Sequence, residues 1–462
     1  MTSSPEKNRV RIAWVVATAF LMEQLDATII TTAIPAMAQS LHSTAVQLSL
    51  AVSAYIFTLA VFIPLSGWLA DRFGARRIFM AALAIFTFGS ALCGLADSLG
   101  MLVICRILQG LGGAMMTPVG RLILLGSFPR GQLIRAMTYT TLPATLGPVM
   151  GPLLGGYLTS YLSWRWIFYI NLPFGLAGIL LAYRFAPSVV SAVPRFDRMG
   201  FLLFAIGVGL LQFSMEVAGH LSMMTLLLLV ALGGLLLIVY AGWSRKHAYP
   251  AVDLGLLRGR AFGVATLAGG VCRVAMNSPV YLLPLLLQLG LGLSPAISGS
   301  LTFLSAVASP AIRLIIGPGI RRLGFRAILT GSAMACSLAL AGFAGIGPGA
   351  GSLPVAGLII FFGVVRASQF MTSNTLAYAD IPAERLSRAT SLGGVLQQLT
   401  VSFGVSLGAA LLEFLAPRQL VPSLATFHMA FLILACLPLL VLPAFLLLRS
   451  EDGAAVRGHT KS

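Results

Sequence analysis

The stretch GWLADRFGARR, residues 67–77, sets a compact group of charges between two long apolar runs. Gly67 and Gly74 are predicted to allow a close backbone approach and a sharp turn. The charged members of the stretch are Asp71, Arg72, Arg76 and Arg77. Each arginine alone fits a loop that collects basic residues on the cytoplasmic side of a membrane. The complete pattern is more specific, and it predicts a rigid loop between two membrane-spanning helices.

The composition of the whole chain is that of a protein embedded in lipid. Of its 462 residues, 58% are hydrophobic and 9% are charged, whereas a soluble domain carries about 25% charged residues. Continuous apolar runs long enough to cross the roughly 30 Å of hydrocarbon in a bilayer recur from end to end. A membrane β-barrel would instead show short alternating segments. The sequence therefore predicts an all-α polytopic membrane protein.

Fourteen apolar runs are predicted to cross the membrane, as two groups of six separated by an inserted pair. They lie near residues 12–36, 47–70, 78–96, 101–126, 136–160, 165–186, 199–217, 221–243, 262–288, 297–317, 326–346, 351–373, 389–415 and 427–448. We therefore expect four regions along the chain. They are a six-helix bundle at 1–186, a linker with two extra transmembrane helices at 187–260, a second six-helix bundle at 261–448 and a cytoplasmic tail at 449–462.

The distribution of charge predicts the orientation of these helices. Thirty Lys and Arg residues against thirteen Asp and Glu residues give a formal net charge of +17. With the N-terminus inside, the outside loops hold only Arg165 and Arg418, as the positive-inside rule requires. Both termini are thus predicted to be cytoplasmic, and the basic excess needs no nucleic acid as a partner. The five cysteines all fall in apolar runs without metal-ligand spacing, and we interpret them as packing residues.

Internal repeats relate the two groups of six helices. The stretch at 67–77 has a weaker copy, GPGIRRLGFR at 317–326, with four identical positions at an offset of 250. Parallel repeats of this kind are one transporter architecture, with binding near the midplane between the halves. Two further pairs match in a similar way: Arg106-x-x-Gln109 with Arg366-x-x-Gln369, and Arg135-Ala136 with Arg388-Ala389.

Two carboxylates stand inside the first predicted span. Glu23 and Asp26 are three residues apart and therefore share a helix face. An ionisable residue at the bilayer centre costs about 2.5–3.5 kcal/mol on insertion scales, and by default it marks a functional site. Helical rise places Asp26 at a depth that overlaps that of Arg106, so a salt bridge is feasible. We group Asp26, Glu23 and Arg106 as proton-coupling residues, with Asp26 as the proton carrier and Glu23 as the next candidate. A static buried salt bridge stays open as the alternative.

Arginines dominate the membrane-embedded charges of the second half. Arg273, Arg313 and Arg366 have no acidic residue at comparable depth within that half. They indicate the wall of a water-filled cavity, an anionic ligand, or pairing with Glu23 and Asp26. Their excess over carboxylates favours anionic or zwitterionic substrates. The predicted substrate cavity comprises Glu23, Asp26, Gln109, Arg273, Asn277, Arg313, Arg366 and Gln369.

Small residues recur on one face of the fifth predicted span. They are Gly147, Pro148, Gly151, Pro152, Gly155 and Gly156. Small residues repeated every four positions let another helix pack closely. We interpret this face as a tight helix–helix contact that also seals the two halves against each other.

Several of these stretches resemble motifs of the major facilitator superfamily. The loop at 67–77 is similar to the G-x-x-x-D-R-x-G-R-R motif between helices 2 and 3 of that family, with Ala75 displaced from it. Motifs of drug/proton antiporters are similar to LDATIITTAIPAMA (25–38), RILQGLGGAMMTP (106–118) and GPVMGPLLGGYL (147–158). WRWIFYINLPFG (164–175) and RFDRMGF (195–201) resemble the fourteen-helix EmrB/QacA branch, and the details are closest to its MdtD-like subgroup.

The resemblance implies the major facilitator fold and a secondary exporter of small amphipathic compounds that works by alternating access. It implies protons as the coupling ion, no other cofactor, and a place in the bacterial inner membrane. In the family, the carboxylate matched by Asp71 caps the helix that begins near Ala389, and the loop acts as a conformational latch. Arg321 takes the place of this aspartate in the second copy. The predicted latch comprises Gly67, Asp71, Arg72, Gly74, Arg76 and Arg77.

Other functions stay open at this point. An exporter of one anionic metabolite, such as an organic acid or a siderophore, is the main alternative, followed by a channel or a membrane-embedded enzyme. The chain has no G-x-x-x-x-G-K-[ST] loop, which excludes an ATP-driven pump. It shows no nucleophile–base set and no metal-ligand spacing. The expected partners are a small-molecule substrate and the lipid bilayer, and accessory envelope proteins are not evident from the sequence.

Overall fold

The structure is a computed structural model that describes residues 5–128, 133–187, 196–218, 221–247, 249–382, 385–416, 422–449 and 451–453. Side chains are described at these positions except 5–7, 125, 133–145, 308–311, 313, 314 and 387. Arg418, the side chain of Arg313 and most of the predicted tail therefore lie outside the described part. Within that part all regular secondary structure is helical.

Packing divides the chain into two compact units. The first unit comprises Met1–Phe196 with Ser294–Gly299, and the second comprises Asp197–Leu293 with Ser300–Ser462. The helices of the first unit are α1 Pro5–Ile29, α2 Ile34–Ser40, α3 Ser49–Phe73, α4 Ala75–Gly94, α5 Leu99–Ser127, α6 Leu133–Tyr161, α7 Trp166–Tyr169 and α8 Asn171–Phe185. Those of the second are α9 Arg198–Glu216, α10 Met223–Lys246, α11 Arg260–Gly263, α12 Gly269–Leu285, α13 Pro295–Phe343, α14 Ser352–Ala379, α15 Leu386–Leu415, α16 Leu424–Leu440 and α17 Leu442–Leu446, with the start of α13 belonging to the first unit.

Some helices are joined into longer rods, and one is broken. A 3-10 turn, Ile30–Thr32, links α1 to α2. Two π-helical stretches, Val264–Ala268 and Leu286–Gly290, extend α12 at its two ends. The long element α13 is in fact two helices, because Gly324 within it has φ 80° and ψ 164°.

Twelve helices among the described residues are long and apolar enough to cross a membrane. The predicted spans 136–160 and 297–317 are not among these twelve. They overlap α6 and the first part of α13, where the side chains of 133–145 and of several residues after 307 are not described. The predicted all-helical membrane class is confirmed, and the count of fourteen spans stays a prediction.

Small residues bring α6 against α1 in the first unit. A Cβ on Gly147 would lie 2.6 Å from the Cβ of Gln24, and one on Gly151 would overlap Thr28. The glycines that face α1 are Gly147, Gly151 and Gly155. Gly156 points elsewhere, against the carbonyl of Pro295 in the first turn of α13. A larger residue on the first face would separate α6 from α1, the helix that carries the two buried carboxylates.

The two copies of the charged loop share one backbone feature. Gly74, between α3 and α4, has φ 95°, and Gly324 has φ 80°, a region that favours glycine. These two residues make the predicted sharp turns. Gly67 and its counterpart Gly317 face open space, because a Cβ added to either would meet no atom within 4 Å. The prediction of a close backbone approach at Gly67 is therefore wrong, since no described neighbour packs on that face of α3.

A carboxylate fixes the inserted pair α9 and α10 to the chain around it. Asp197 caps α9 by accepting a hydrogen bond from Gly200 N at 2.9 Å. The same carboxylate accepts from Trp243 Nε1 of α10 at 3.0 Å and from Ala251 N at 3.3 Å. The aspartate of the RFDRMGF stretch is thus a cap that ties three segments of the second unit together.

A second polar contact joins α9 to α15. Ser406 donates a hydrogen bond to Glu216 and accepts one from Gln212 Nε2 at 2.5 Å. Gln212 is 5% exposed, so this contact is protected from solvent. By packing, the inserted pair belongs to the second unit.

Candidate functional site

A closed polar centre surrounds Asp26 in the first unit. Asp26 has no exposed surface. Its Oδ2 accepts a hydrogen bond from Arg106 Nη1 at 2.5 Å, and the two groups form a salt bridge. Its Oδ1 accepts from Gln109 Nε2 at 2.8 Å and from Asn171 Nδ2 at 3.1 Å. Donors from α5 and α8 thus hold both oxygens of a carboxylate that lies on α1.

Arg106 is anchored as firmly as its partner. Its Nη1 also donates to Gln109 Oε1 at 2.9 Å, and its Nε donates to Ala51 O at 3.3 Å. The guanidinium carbon lies 4.1 Å from the centroid of the Tyr55 ring, a cation–π distance. Arg106 has no exposed surface. An ion pair removed from water depends on such additional bonds, because losing one partner leaves the other as a buried charge.

The structure brings together predicted site residues that lie far apart along the chain. The depth argument paired Asp26 with Arg106, and their side chains are in direct contact. Gln109, a predicted cavity residue, lies between them with no exposed surface and bonds to both. In this structure Gln109 belongs to a closed network rather than to an open surface.

Glu23 lies one turn before Asp26 on α1 and is held in a different way. It is 4% exposed, and its Oε2 accepts a hydrogen bond from Thr117 Oγ1 of α5 at 2.6 Å. Arg121, further along α5, attracts it electrostatically. No other described side chain forms a hydrogen bond or salt bridge with Glu23. A hydroxyl can donate to a carboxylate and accept from a carboxylic acid, so this contact suits both protonation states.

The polar centre of the second unit is built on arginine. Arg273, in the middle of the apolar helical segment Arg260–Gly290, is 6% exposed. Its Nη1 donates to Asn374 Oδ1 and its Nη2 to Ala265 O, both at 3.4 Å, which is longer than a usual N–H···O bond. Its Nε is buried without a hydrogen-bond partner. No carboxylate in the described ranges forms a salt bridge with Arg273.

The helix α14, which contacts Arg273 through Asn374, carries further unpaired polar atoms. Gln369 Oε1 accepts a hydrogen bond from Ser332, but Gln369 Nε2 has no partner. The buried hydroxyls of Thr372 and Ser373 are also without partners. Arg366, one turn before Gln369, is partly buried and forms no hydrogen bond or salt bridge with a described residue.

Other predicted cavity residues take less part in this centre. Asn277 lies against Gly404 of α15, where a Cβ would come within 2.8 Å of it. The side chain of Arg313 lies outside the described residues. An open, water-filled cavity wall does not agree with the burial of Arg273, since α14 covers its guanidinium. Pairing with Asp26 does not agree with the bonds that Asp26 makes inside its own unit.

The predicted latch lies where α3 meets α4. The guanidinium carbon of Arg76 is 5.7 Å from the centroid of the Tyr183 ring, and Trp68 packs against Phe73. The exposed members are Arg72 and Arg77. Asp71 forms no hydrogen bond or salt bridge with a described residue of its own unit. Aromatic contacts therefore fix the loop, and its carboxylate is not used within the unit.

The sequence analysis does not single out four residues of the two centres: Asn171, Thr117, Thr372 and Ser373. Thr117 carries a usable signal, because it lies about three helical turns after Arg106 and therefore on the same face of α5. Asn171 carries none, since it is 145 residues from Asp26 along the chain and reaches it only through tertiary packing.

Comparison with known proteins covers nearly the whole chain. The family model of the Major Facilitator Superfamily matches residues 16–405. The chain is 35% identical over 453 residues to the "Putative multidrug resistance protein MdtD" of Salmonella typhimurium, covering 97% of this chain and 96% of that protein. It is 37% identical over 459 residues to the protein of the same name from Cronobacter sakazakii, covering 98% and 97%.

Solved structures agree in fold at low sequence identity. The crystal structure of a D-xylose-proton symporter matches with a TM-score of 0.68 at 14% identity, covering 98% of this chain and 99% of that one. A POT family transporter in complex with 5-aminolevulinic acid matches with a TM-score of 0.69 at 15% identity, covering 94% of each. The family match, the relatives and the shared fold lead to one conclusion: the chain is a multi-pass membrane transporter that belongs to the Major Facilitator Superfamily.

Proposed function

We propose that this transporter is a proton-driven exporter, which moves small amphipathic compounds out of the cytoplasm by alternating access. Relatives named as multidrug resistance proteins support the export of drug-like compounds. The observation that carries the proton part is the presence of two buried carboxylates on α1, Glu23 and Asp26, held by different numbers of donors.

Glu23 is the group assigned to proton binding. Asp26 would have to give up a bond from Arg106, Gln109 or Asn171 in order to take a proton. Glu23 is held by one hydroxyl that can bond to either protonation state. The sequence left two interpretations open, a proton carrier and a static buried salt bridge, and we assign one to each carboxylate. Glu23 is the proton carrier, and Asp26 with Arg106 is the buried pair that keeps α1 and α5 in position.

The charge on Glu23 supplies the coupling. Ionised Glu23 adds a negative charge near the middle of the first span, and a proton removes it. If the loaded carrier turns outward only with Glu23 ionised and the empty carrier returns only with Glu23 protonated, each cycle exchanges substrate for a proton. A proton gradient directed into the cytoplasm then drives export.

The same proposal includes the topology. Fourteen spans, two cytoplasmic termini and the bacterial inner membrane are supported by two observations. The helix α6 and the part of α13 before Gly324 add two helices to the twelve that are long and apolar enough. The loop arginines follow the positive-inside rule only if every span is counted.

The loop at 67–77 serves as the conformational latch in this proposal. Its shape is fixed by Gly74 and by the aromatic contact of Trp68 with Phe73. Asp71 has no partner among the described residues of its unit, which leaves it available for a contact made in one transport state. The second copy has Arg321 at this place and cannot supply a carboxylate.

The test uses purified protein in proteoliposomes under an imposed pH gradient, with a panel of lipophilic compounds and a pH-sensitive dye. Wild type should move a compound uphill while protons move the other way, and Glu23→Gln should lose this coupling. Glu216→Gln is the matched control, because it removes a carboxylate from the second unit. Uphill transport by Glu23→Gln at the wild-type rate would contradict the proton assignment. Failure of wild type with every compound would contradict drug export.

A second candidate function has one observation in its favour. The unpaired arginines Arg273 and Arg366 suit an exporter of an anionic metabolite such as an organic acid or a siderophore. Counterflow of labelled substrate in the same proteoliposomes separates either exporter from a channel, which shows no exchange.

A further inference from the structure

A group of four buried residues in the second unit offers hydrogen-bond donors that nothing in the described structure accepts. We call Arg273, Gln369, Thr372 and Ser373 the donor cluster. The unpaired atoms are Arg273 Nε, Gln369 Nε2, Thr372 Oγ1 and Ser373 Oγ. Each of these residues is at least nine-tenths buried. Because buried polar groups are nearly always hydrogen-bonded in native proteins, four such atoms on two neighbouring helices point to a missing acceptor.

Two residues of the donor cluster, Ser373 and Arg273, lie close to Gly269. A Cβ placed on Gly269 would lie 2.9 Å from Ser373 Oγ and 3.9 Å from Arg273 Nη2. Ser373 Oγ and Arg273 Nη2 therefore both lie beside the backbone of Gly269, where any larger residue would press on the hydroxyl. Gln369 stands one turn before Ser373 on the same face of α14, so its free amide continues this row.

The charge of the cluster is also uncompensated. Two other arginines of the second unit have carboxylate partners: Arg260 lies 2.9 Å from Asp452, and Arg388 lies 3.7 Å from Asp253. Arg273 has no such partner in the described ranges. A buried cation without a counter-ion is strongly unfavourable, and here it stands in the middle of an apolar span.

The first unit contains an arginine of similar burial for comparison. Arg106 makes a salt bridge and two further hydrogen bonds in a site of similar burial. Arg273 makes two bonds, both at 3.4 Å, to a carbonyl and an amide oxygen. The guanidinium fork matches a carboxylate or another oxyanion in geometry and charge, and hydroxyl and amide donors can complete its coordination.

We infer that the donor cluster binds an oxyanion, and that this oxyanion is the carboxylate of a transported amphipathic compound. The inference rests on the proposed export function and specifies its substrate class. Arg273 supplies the charge, and Ser373 and Gln369 donate to the oxyanion beside the backbone of Gly269. A lipid phosphate offers the same chemistry, so the experiment includes an arm for that source.

Equilibrium binding without any gradient tests the inference. Two probes share one aromatic body: 4-phenylbutyrate, which carries a carboxylate, and 4-phenylbutylamine, which carries an ammonium. Wild type in phosphatidylcholine nanodiscs should bind the carboxylate in preference to the amine. Arg273→Ala should weaken binding of the carboxylate about tenfold or more, as expected for a charge-assisted bond. Equal carboxylate affinity in wild type and Arg273→Ala would overturn the inference.

Further variants separate binding from folding. Ser373→Ala should weaken the carboxylate a few-fold, as for one neutral hydrogen bond. Gly269→Ala keeps every donor but adds a methyl group 2.9 Å from Ser373 Oγ, so it should displace this hydroxyl, weaken binding of the carboxylate and keep the thermal midpoint near that of wild type. Arg322→Ala is the matched control, since it removes an exposed arginine of the same unit and should leave carboxylate binding unchanged. Unchanged binding in both Ser373→Ala and Gly269→Ala would place the anion elsewhere and overturn the inference.

The lipid arm repeats the binding measurement in nanodiscs that contain phosphatidylglycerol. Undiminished carboxylate binding supports a substrate site. Loss of binding in wild type that follows the phosphatidylglycerol content would identify a lipid phosphate as the occupant and overturn the substrate assignment. Proton-coupled export of an amine in proteoliposomes is read separately, so failure here leaves the proposed function standing.

Discussion

The polar centres of the two units contain similar residues in opposite electrostatic states. In the first unit, Asp26 and Arg106 neutralise each other and every oxygen of the carboxylate has a donor. In the second, Arg273 and Arg366 have no carboxylate partner among the described residues, and several donors are unused. The first centre neutralises its own charge, although Arg106 Nη2 has no hydrogen-bond partner among the described residues. The second lacks an acceptor and is therefore the better candidate for ligand recognition.

The internal repeat shows which positions differ between the two polar centres. Arg366 and Gln369 repeat Arg106 and Gln109 with the same spacing. At the offset of 250 that relates the two charged loops, Arg273 falls at the place of Glu23. At the same offset, Met276 falls at the place of Asp26. The second half thus keeps an Arg-x-x-Gln pair but lacks both carboxylates of the first span, which leaves its centre cationic.

The largest expected effect comes from removing one arginine from each centre. Arg106→Ala leaves Asp26 as a buried charge, and we expect a loss of stability of about 3–5 kcal/mol. Arg366→Ala removes a cation that has no described partner, so stability should stay equal or rise. Thermal unfolding of the two purified variants measures both. If Arg366→Ala is as destabilising as Arg106→Ala, the second centre has a partner of its own and the comparison fails.

The next effect concerns coupling and separates the two carboxylates of α1. Glu23→Gln keeps the size of the side chain and an acceptor for Thr117, so the variant should fold normally, bind substrate and lose proton-driven uphill transport. Asp26→Asn removes the partner of Arg106, so its main effect should be a lower unfolding temperature. Dye-reported proton movement and thermal unfolding are read side by side. Normal coupling in Glu23→Gln together with normal stability in Asp26→Asn would reverse the two assigned roles.

A smaller effect is expected at the charged loops. Asp71→Asn should slow transport several-fold, because a carboxylate at a helix end contributes about 0.3–2 kcal/mol to the state that uses it. Arg321→Asn, the matching change in the second copy, should have little effect. Cytoplasmic accessibility of introduced cysteines reports the balance of states. Identical labelling in the wild type and Asp71→Asn would remove the latch from the proposal.

The last comparison concerns stability alone and distinguishes glycines that make the turns from glycines that do not. Alanine at Gly74 or Gly324 must adopt a positive φ, and we expect a loss of about 1–3 kcal/mol. Alanine at Gly67 or Gly317 meets no atom within 4 Å and should change stability by less than about 0.5 kcal/mol. Four single variants compared by thermal unfolding complete this test. A destabilised Gly67→Ala would restore the close approach that the sequence predicted.

Some of these features could be predicted from the sequence because they depend on one helix at a time. Apolar runs gave the helical class, and helical rise placed Asp26 and Arg106 at overlapping depths. The spacing of Gly147, Gly151 and Gly155 indicated a close contact, although the sequence did not show that α1 is the neighbour. Periodicity and depth can both be derived from the sequence of a single helix.

Other features depend on which helices meet, and no local pattern contains that. Asn171 reaches Asp26 from another helix, and the unpaired state of Ser373 is known only when the surroundings of α14 are known. The prediction of a close backbone approach at Gly67 was wrong because it also depended on the neighbouring helices. A family motif indicates that a glycine is present, but only the neighbours show whether the missing side chain matters.

The network around Asp26 has a consequence for synthesis at the ribosome. Arg106 follows Asp26 by 80 residues and Asn171 follows it by 145 residues. At about 5–20 residues per second, roughly 4–16 s pass between the emergence of the aspartate and that of its arginine. During this interval the first span holds two carboxylates without their partners. We therefore expect the first span to leave the translocon laterally only after α5 has been synthesised. The salt bridge would then determine the order of membrane insertion as well as the packing of the folded protein.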